Sequence, residues 1–288
     1  MLDRTKVTFG QAEGVAPLPT QLTPKTMSAE LKAALWFVVY SYMKGDIVAP
    51  DFGSSVLGGQ WRTLMLHWFV MHQHGMVDAF DKSASRQIAE AKSAVTSSNY
   101  VQVFDFLQFV VRSRHCPDGF PVDIRRALEG TMAGWRLVDG TFFPVGSSEE
   151  ATAIERAFQA LRDPALSAPR SHLKSAAESL TTGRWSDSAR ESIHAVESAA
   201  KVLDPKAKTL PDALKRLREG SINPNLRAGL LSLYNYTSDE DGIRHALVDG
   251  PNADVTEADA LFMLGACASF VSYLLNAAKP GDIKLRSQ

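Results

Sequence analysis

From Ser171 to Ala277 the apolar residues recur at helical spacing, and that single pattern limits the second half of the chain to packed helices. Leu173 and Leu180 mark a first helix, and Ile193, Val196 and Ala200 a second that Pro205 closes. Leu210, Leu214 and Leu217 mark a third, ended by Gly220, and Leu226, Leu230 and Leu233 a fourth. The last, from Val255 to Ala277, is the most apolar, with Leu261, Leu264, Ala268, Val271 and Leu275 on one stripe. Short connections between such helices predict an antiparallel bundle. Apolar residues on more than one face of the final helix predict a homodimer through this C-terminal domain.

The first half reads differently. Pro17, Pro19 and Pro24 with Gly10 and Gly14 predict an extended arm over residues 1–26. Ser28 is placed to cap a helix carrying Leu31, Leu35, Val38 and Tyr42, and Gly45 to stop it. Apolar helical segments follow from Trp61 towards Gly75, and from Tyr100 to Arg112 with Phe104, Leu107 and Val111 on one face. Between Trp135 and Val145, β-formers flank Asp139-Gly140, the dipeptide of a type I′ turn, so a short β-hairpin is expected with Pro144 at an edge. Ser147 or Ser148 then caps a helix through Ile154 and Phe158. The Pro-containing stretch 163–170 reads as a linker between two domains. The expected fold class is mainly α: a helical N-terminal domain, residues 1–162, with one short β-hairpin, then a helical bundle over 171–279 and a tail over 280–288.

Composition sets limits on partners. Over 288 residues, 31 Lys and Arg face 32 Asp and Glu, a net charge of −1, so any contact with nucleic acid must be local. The local concentration of Lys201, Lys206, Lys208, Lys215, Arg216 and Arg218 outnumbers Asp204, Asp212 and Glu219. Lys208, Lys215, Arg216 and Arg218 are the candidates for RNA backbone contact, because phosphate neutralisation supplies most sequence-independent affinity. A solvated charged face is the competing explanation. Two cysteines, Cys116 and Cys267, predict a reducing compartment, and an N-terminus without an apolar core predicts no signal peptide, hence a cytoplasmic protein. No membrane partner is expected, since no uncharged apolar run reaches about 20 residues.

One polar segment breaks the bundle pattern. Between the fourth and last helices, Tyr236, Ser238 and Asp239 lead to Arg244 and His245. Ser238 or Asp239 could cap a short helix carrying that pair. Arg offers a planar fork of donors to a phosphate, and His moves a proton near neutral pH. Together they can cleave RNA without a metal: a base takes the 2′-hydroxyl proton while a cation stabilises the phosphorane. Alternatively, Arg244 pairs with Asp239, Glu240 or Asp241 and His245 packs.

The C-terminal run resembles the HEPN-like domain of bacterial abortive-infection proteins. The matching pieces are Ser171-His-Leu-Lys174, Glu191-Ser-Ile-His-Ala-Val-Glu197, Thr209-Leu-Pro-Asp-Ala-Leu-Lys215, Thr237-Ser-Asp-Glu-Asp-Gly-Ile-Arg-His-Ala-Leu247 and Phe262-Met-Leu264. The N-terminal part is similar to the AbiJ-type domain that often precedes it. That match rests on Leu18-Pro-Thr-Gln-Leu22, Met27-Ser-Ala-Glu-Leu31, Leu35-Trp36, Trp135-Arg-Leu-Val-Asp-Gly140 and Pro144-Val145. The resemblance implies helical bundles that dimerise and, in many members, a metal-independent endoribonuclease acting in phage defence. It implies a catalytic role for Arg244 and His245, supported by Tyr236, Ser238 and Asp239, with RNA as substrate and an antitoxin or defence protein as partner. The family motif places four to six residues between Arg and His, whereas Arg244 and His245 are adjacent and about 100° apart on a helix. The alternative is a non-catalytic sensor or regulatory binding module.

Two further Arg–His pairs stand in the chain. Arg62 and His67 match the motif spacing but lie in an apolar helix, outside the region of resemblance. Arg190 and His194 share a helical face at i and i+4. No cofactor and no metal is expected. His67, His72, His74, His115 and Cys116 show no short Cys-x₂-Cys or His-x₃-His spacing, and no phosphate-cradling glycine motif is present.

Overall fold

The computed structural model describes residues 9–15, 20–49, 54–216, 223–239 and 255–277. They form a mainly helical protein with two small antiparallel sheets of two strands each. The chain divides into two compact units between Phe142 and Phe143.

In the first unit a short helix α1 (Phe9–Ala12) stands where an extended arm was expected. The arm proper begins later: Leu22 N–H donates to the Met132 carbonyl, and Gln21 Nε2 donates to the Met132 and Ala133 carbonyls. Helix α2 (Ala29–Gly45) starts at Ser28, whose hydroxyl accepts from Leu31 N–H, and it stops at the expected glycine. Two strands absent from the sequence expectation follow, β1 (Ile47–Val48) and β2 (Val56–Leu57), paired antiparallel. Each is two residues long, too short to show a period.

Asp46, just before β1, organises this corner. Helix α3 (Gly59–Met71) has a glycine at its N-cap and no side chain of its own to serve there. The Asp46 carboxylate accepts from Trp61 N–H at 3.0 Å instead, satisfying one of the first-turn donors from a distant position. Gly59 has φ of +50°, and a Cβ there would stand 2.6 Å from that carboxylate.

Helices α4 (Ala84–Val95), α5 (Tyr100–Arg112) and α6 (Phe120–Gly130) complete the layer around α2. The core is aromatic. Trp61 meets Phe120 edge-on at 5.8 Å, and Trp68 meets Phe106 at 5.1 Å. The predicted hairpin forms from β3 (Trp135–Val138) and β4 (Thr141–Pro144). Asp139 and Gly140 have φ of +51° and +71°, the double positive sign of the type I′ turn. Phe142 packs on Phe104 at 5.0 Å within the first unit, and Phe143 packs on Phe158 at 5.0 Å within the second.

The second unit therefore begins one helix earlier than the linker expected at 163–170. Helix α7 (Ser148–Ala160), capped by Ser147, belongs to it. The Pro-containing stretch forms a short 3₁₀ turn, Pro164–Leu166, in which Asp163 Oδ1 accepts from Ala165 N–H and Leu166 is buried. A buried leucine and a capped turn make this stretch part of a core, where a flexible linker exposes its side chains. Helix α8 (Ser167–Thr181) starts directly after it, ahead of the expected Ser171.

Three residues reverse the chain from α8 into α9 (Trp185–Leu203), with Gly183 at φ of +75°. Helices α10 (Leu210–Arg216) and α11 (Pro224–Asp239) follow, then α12 (Glu257–Ala277). Helix α9 is the hub: α8 and α12 pack along it, α10 and α11 also touch it, and α12 lies against α7. The buried stripe of α12 is Ala260, Met263, Leu264, Cys267, Ala268, Val271 and Leu274, shifted from the expected one because Leu261 and Leu275 are only half-buried. By length and apolar composition α12 could cross a membrane, but its burial against α7 and α9 accounts for that character as a core helix. On α11 the expected leucine stripe is not the buried one. Leu226 is exposed, and Tyr234 and Thr237 are buried instead.

Gly134 gives the sharpest packing test. A Cβ at this position would lie 2.5 Å from Thr23 and Pro24 backbone atoms, where no side chain can give way. Gly134→Ala is expected to destabilise the protein by about 1–3 kcal/mol, the usual cost of overpacking, as a lower midpoint in urea unfolding.

Candidate functional site

The two residues expected to be catalytic, Arg244 and His245, lie outside the described residues, as do Glu240, Asp241 and Arg218. The structure does place the two ends of the segment that carries them. Helix α11 runs through Asp239, so Ser238 and Asp239 belong to its C-terminal end, and the short helix they were expected to cap lies outside the described residues. The helix continues because Tyr234 and Thr237, one turn apart on one face, are both buried, and Thr237 Oγ1 donates to the Tyr234 carbonyl. Tyr236, on the neighbouring face, is half-buried.

The other end is fixed at Val255, which is buried, and at Thr256. Thr256 Oγ1 accepts from Asp259 N–H at 3.2 Å, while the Asp259 carboxylate accepts from Thr256 N–H at 2.9 Å and from its hydroxyl at 2.6 Å. This reciprocal capping box starts α12 and sets where the segment ends. The hydrogen bonds from Thr256, side chain first and backbone second, hold the Asp259 carboxyl below its usual range.

The basic concentration is partly placed. Lys201, Lys206, Lys208 and Lys215 are exposed, and Arg216 is the last residue of α10. The His72 ring stacks on Trp68 at 4.2 Å, and His67 faces His115 at 5.9 Å between ring centres. Cys116 is half-buried, and burial pushes its thiol up to about 11. Next to His72, a depression of about 380 Å³ is lined by Asp105, Gln108, Phe109 and Arg112. Burial raises the Asp105 carboxyl above its usual value, with His72 acting in the opposite direction.

A second polar cluster sits where α8 faces α9. His172 projects from α8, and Glu191 and His194 from α9. The His172 ring Nδ1–H donates to Glu191 Oε2 at 2.7 Å, and His194 Nδ1 lies 3.8 Å from Glu191 Oε1. The two imidazoles meet edge-on with centres 5.5 Å apart. All three side chains are partly covered, at 35%, 22% and 30% exposure for His172, Glu191 and His194. Burial lowers the His194 pKa, opposed by the negative charges of Glu191 and Glu197 and assisted by His172 and Arg190. Arg190 is turned to Asp187, with Nη2 at 2.5 Å from Oδ1, and Asp187 also lies 3.6 Å from Arg184.

Of the Arg190/His194 pair singled out in sequence, the histidine therefore joins a carboxylate and a second histidine, while the arginine joins a separate ion pair. Sequence reasoning missed Glu191 and His172. Local spacing did carry one sign of the first, a Glu-x₂-His at i and i+3 on one helical face. It carried none of His172, which comes from the neighbouring helix.

Compared with family models, curated proteins and solved structures, the chain matches none.

The capping box generates a prediction about the edge of the segment. Thr256→Ala is expected to cost about 1 kcal/mol at neutral pH, typical of a lost N-cap. A depressed carboxyl contributes stability above its unfolded value of 3.8 and loses it as pH falls through the lower folded value. The gap between wild type and Thr256→Ala should therefore narrow in urea titrations run at successively lower pH below 3.8.

Proposed function

We propose that this chain is a phage-defence effector of the HEPN type that cleaves RNA through the segment bearing Arg244 and His245. One observation carries the reading: the segment is tied at both ends to a single helical unit. Tyr234 and Thr237 bury its entry, and Val255 with the Thr256–Asp259 cap fixes its exit. A polar segment of fifteen residues, 240–254, tied at both ends in this way can present an arginine and a histidine to a phosphodiester. In that role His245 takes the 2′-hydroxyl proton, and Arg244 stabilises the charge that develops on phosphorus. The exposed Lys201, Lys206, Lys208 and Lys215 supply sequence-independent contact to the RNA backbone.

The effector works as a cytoplasmic homodimer joined through the C-terminal unit, with an antitoxin or defence protein as regulator. Phe262, 58% exposed on α12, supports such an interface. The adjacency of Arg244 and His245, with none of the four to six residues that the family motif places between them, favours a second reading, a non-catalytic sensor or regulatory module.

A cleavage assay on single-stranded RNA in the presence of a chelator separates them. The first reading predicts cleavage by wild type, products ending in 2′,3′-cyclic phosphate, and a loss of about 10²–10⁴-fold in His245→Ala with an unchanged thermal midpoint. Equal cleavage by His245→Ala, or none by wild type, rejects the nuclease reading.

A further inference from the structure

The cluster between α8 and α9 has the composition of a metal site. Two imidazoles and one carboxylate form a ligand set that zinc takes in open sites, with three protein ligands and a further position left to water. Among the described residues it is the one group of three such side chains whose ligand atoms all lie within 4.8 Å of one another. Zinc–ligand bonds of about 2.0–2.2 Å put neighbouring ligand atoms at roughly 3.3 Å in a tetrahedral site. His172 Nδ1 stands 2.7 Å from Glu191 Oε2 and His194 Nδ1 3.8 Å from Glu191 Oε1, and with one ligand atom from each residue inside 4.8 Å of the others, the set lies close to that spacing.

The surroundings suit a cation. Glu191 and the buried Glu197 supply negative potential, and the nearby Arg190 is neutralised by Asp187 at 2.5 Å. Partial burial keeps the site from being fully screened while leaving a path for an ion to enter. The Glu191-Ser-Ile-His194 spacing is the Glu-x₂-His arrangement that helical bundles use to aim two ligands at one ion.

We propose that His172, Glu191 and His194 bind one divalent transition-metal ion of the zinc class, clasping α8 to α9 and leaving at least one coordination position open to water. In binding, the hydrogen bond between His172 Nδ1 and Glu191 Oε2 is given up: the ring proton moves through solvent to Nε2, leaving Nδ1 and the carboxylate to ligate the ion. The clasp closes a helical hairpin whose only other covalent tie is its turn, so the ion stabilises the folded state by binding it and not the unfolded chain. This site is independent of Arg244 and His245: its presence does not require cleavage, and its absence does not affect the chelator-resistant activity argued above.

The test uses the full chain stripped of metal and titrated with Zn²⁺ by calorimetry. Expected are one equivalent bound with micromolar or tighter affinity and a raised thermal midpoint. His172→Gln and His194→Gln should each weaken binding by at least about 100-fold, more than loss of an outer-shell partner costs. His67→Gln and His245→Gln should bind as wild type does. Thermal melts of the metal-free variants establish that each one folds. A readout on wild type alone removes any dependence on variant folding: X-ray absorption of the zinc-loaded protein should show imidazole and carboxylate ligands and no sulfur. Unchanged affinity in the His172→Gln/His194→Gln double variant, sulfur ligation, or no binding to wild type at 100 micromolar Zn²⁺, about a hundredfold above the expected Kd, overturns the proposal.

Discussion

A helix can be approached closely on two sides only if its buried positions carry little bulk, and α9 is built that way. Its buried face holds Ser188, Ala189, Ser192, Ala195, Ala199 and Ala200, with Ile193, Val196 and Leu203 as the larger anchors. Small side chains let α8 and α12 both pack along α9. Each alanine buries little area, so the packing depends on long, continuous contact along a helix of nineteen residues. The remaining elements of the second unit follow from this axis. Helix α12 brings α7 with it, and α10 and α11 settle against what is left. The half-buried edge of α9 carries Asp187, Arg190, Glu191 and His194, and Glu191 and His194 there meet His172 of α8.

Much of this was legible where one short-range cause decides the outcome. Asp139-Gly140 dictated the hairpin because both residues tolerate the positive φ that the turn imposes. Ser28 and Ser147 dictated helix starts because each hydroxyl satisfies a first-turn donor. Tyr100–Arg112 was readable to the residue, since its apolar face is uninterrupted. What escaped were features held by partners distant in sequence. The β1–β2 pair is two residues deep, and its corner is tied by Asp46 reaching Trp61 fifteen positions on. The stretch 163–170 has the composition of a linker, yet Leu166 is buried, and composition does not report burial. On α11, leucine spacing pointed to one face while tertiary contacts chose Tyr234 and Thr237.

The site divides along the same line. Arg244 and His245 were visible as a polar interruption in an apolar pattern, and the structure contributes the anchoring of that interruption at both ends. His172 was invisible because its partners are nineteen and twenty-two residues away, brought near only when a three-residue turn folds α8 back onto α9. Glu191 and His194 were half-visible, as neighbours on one helical face with nothing in the sequence to say what they meet. The second unit thus holds two chemically distinct places. One is made of residues close together in the chain, the other of residues gathered by the packing of α9.

The dependence of the second unit on α9 is open to direct measurement by native-state hydrogen exchange. If the α8–α9–α12 packing is the framework on which the rest is assembled, backbone amides from Ser192 to Leu203 should be among the slowest to exchange in residues 143–288, opening only with global unfolding. Amides of α10 and α11, which rest on the periphery of that framework, should exchange faster by local opening. Exchange of the α9 amides at rates equal to those of α10 and α11 would contradict the account.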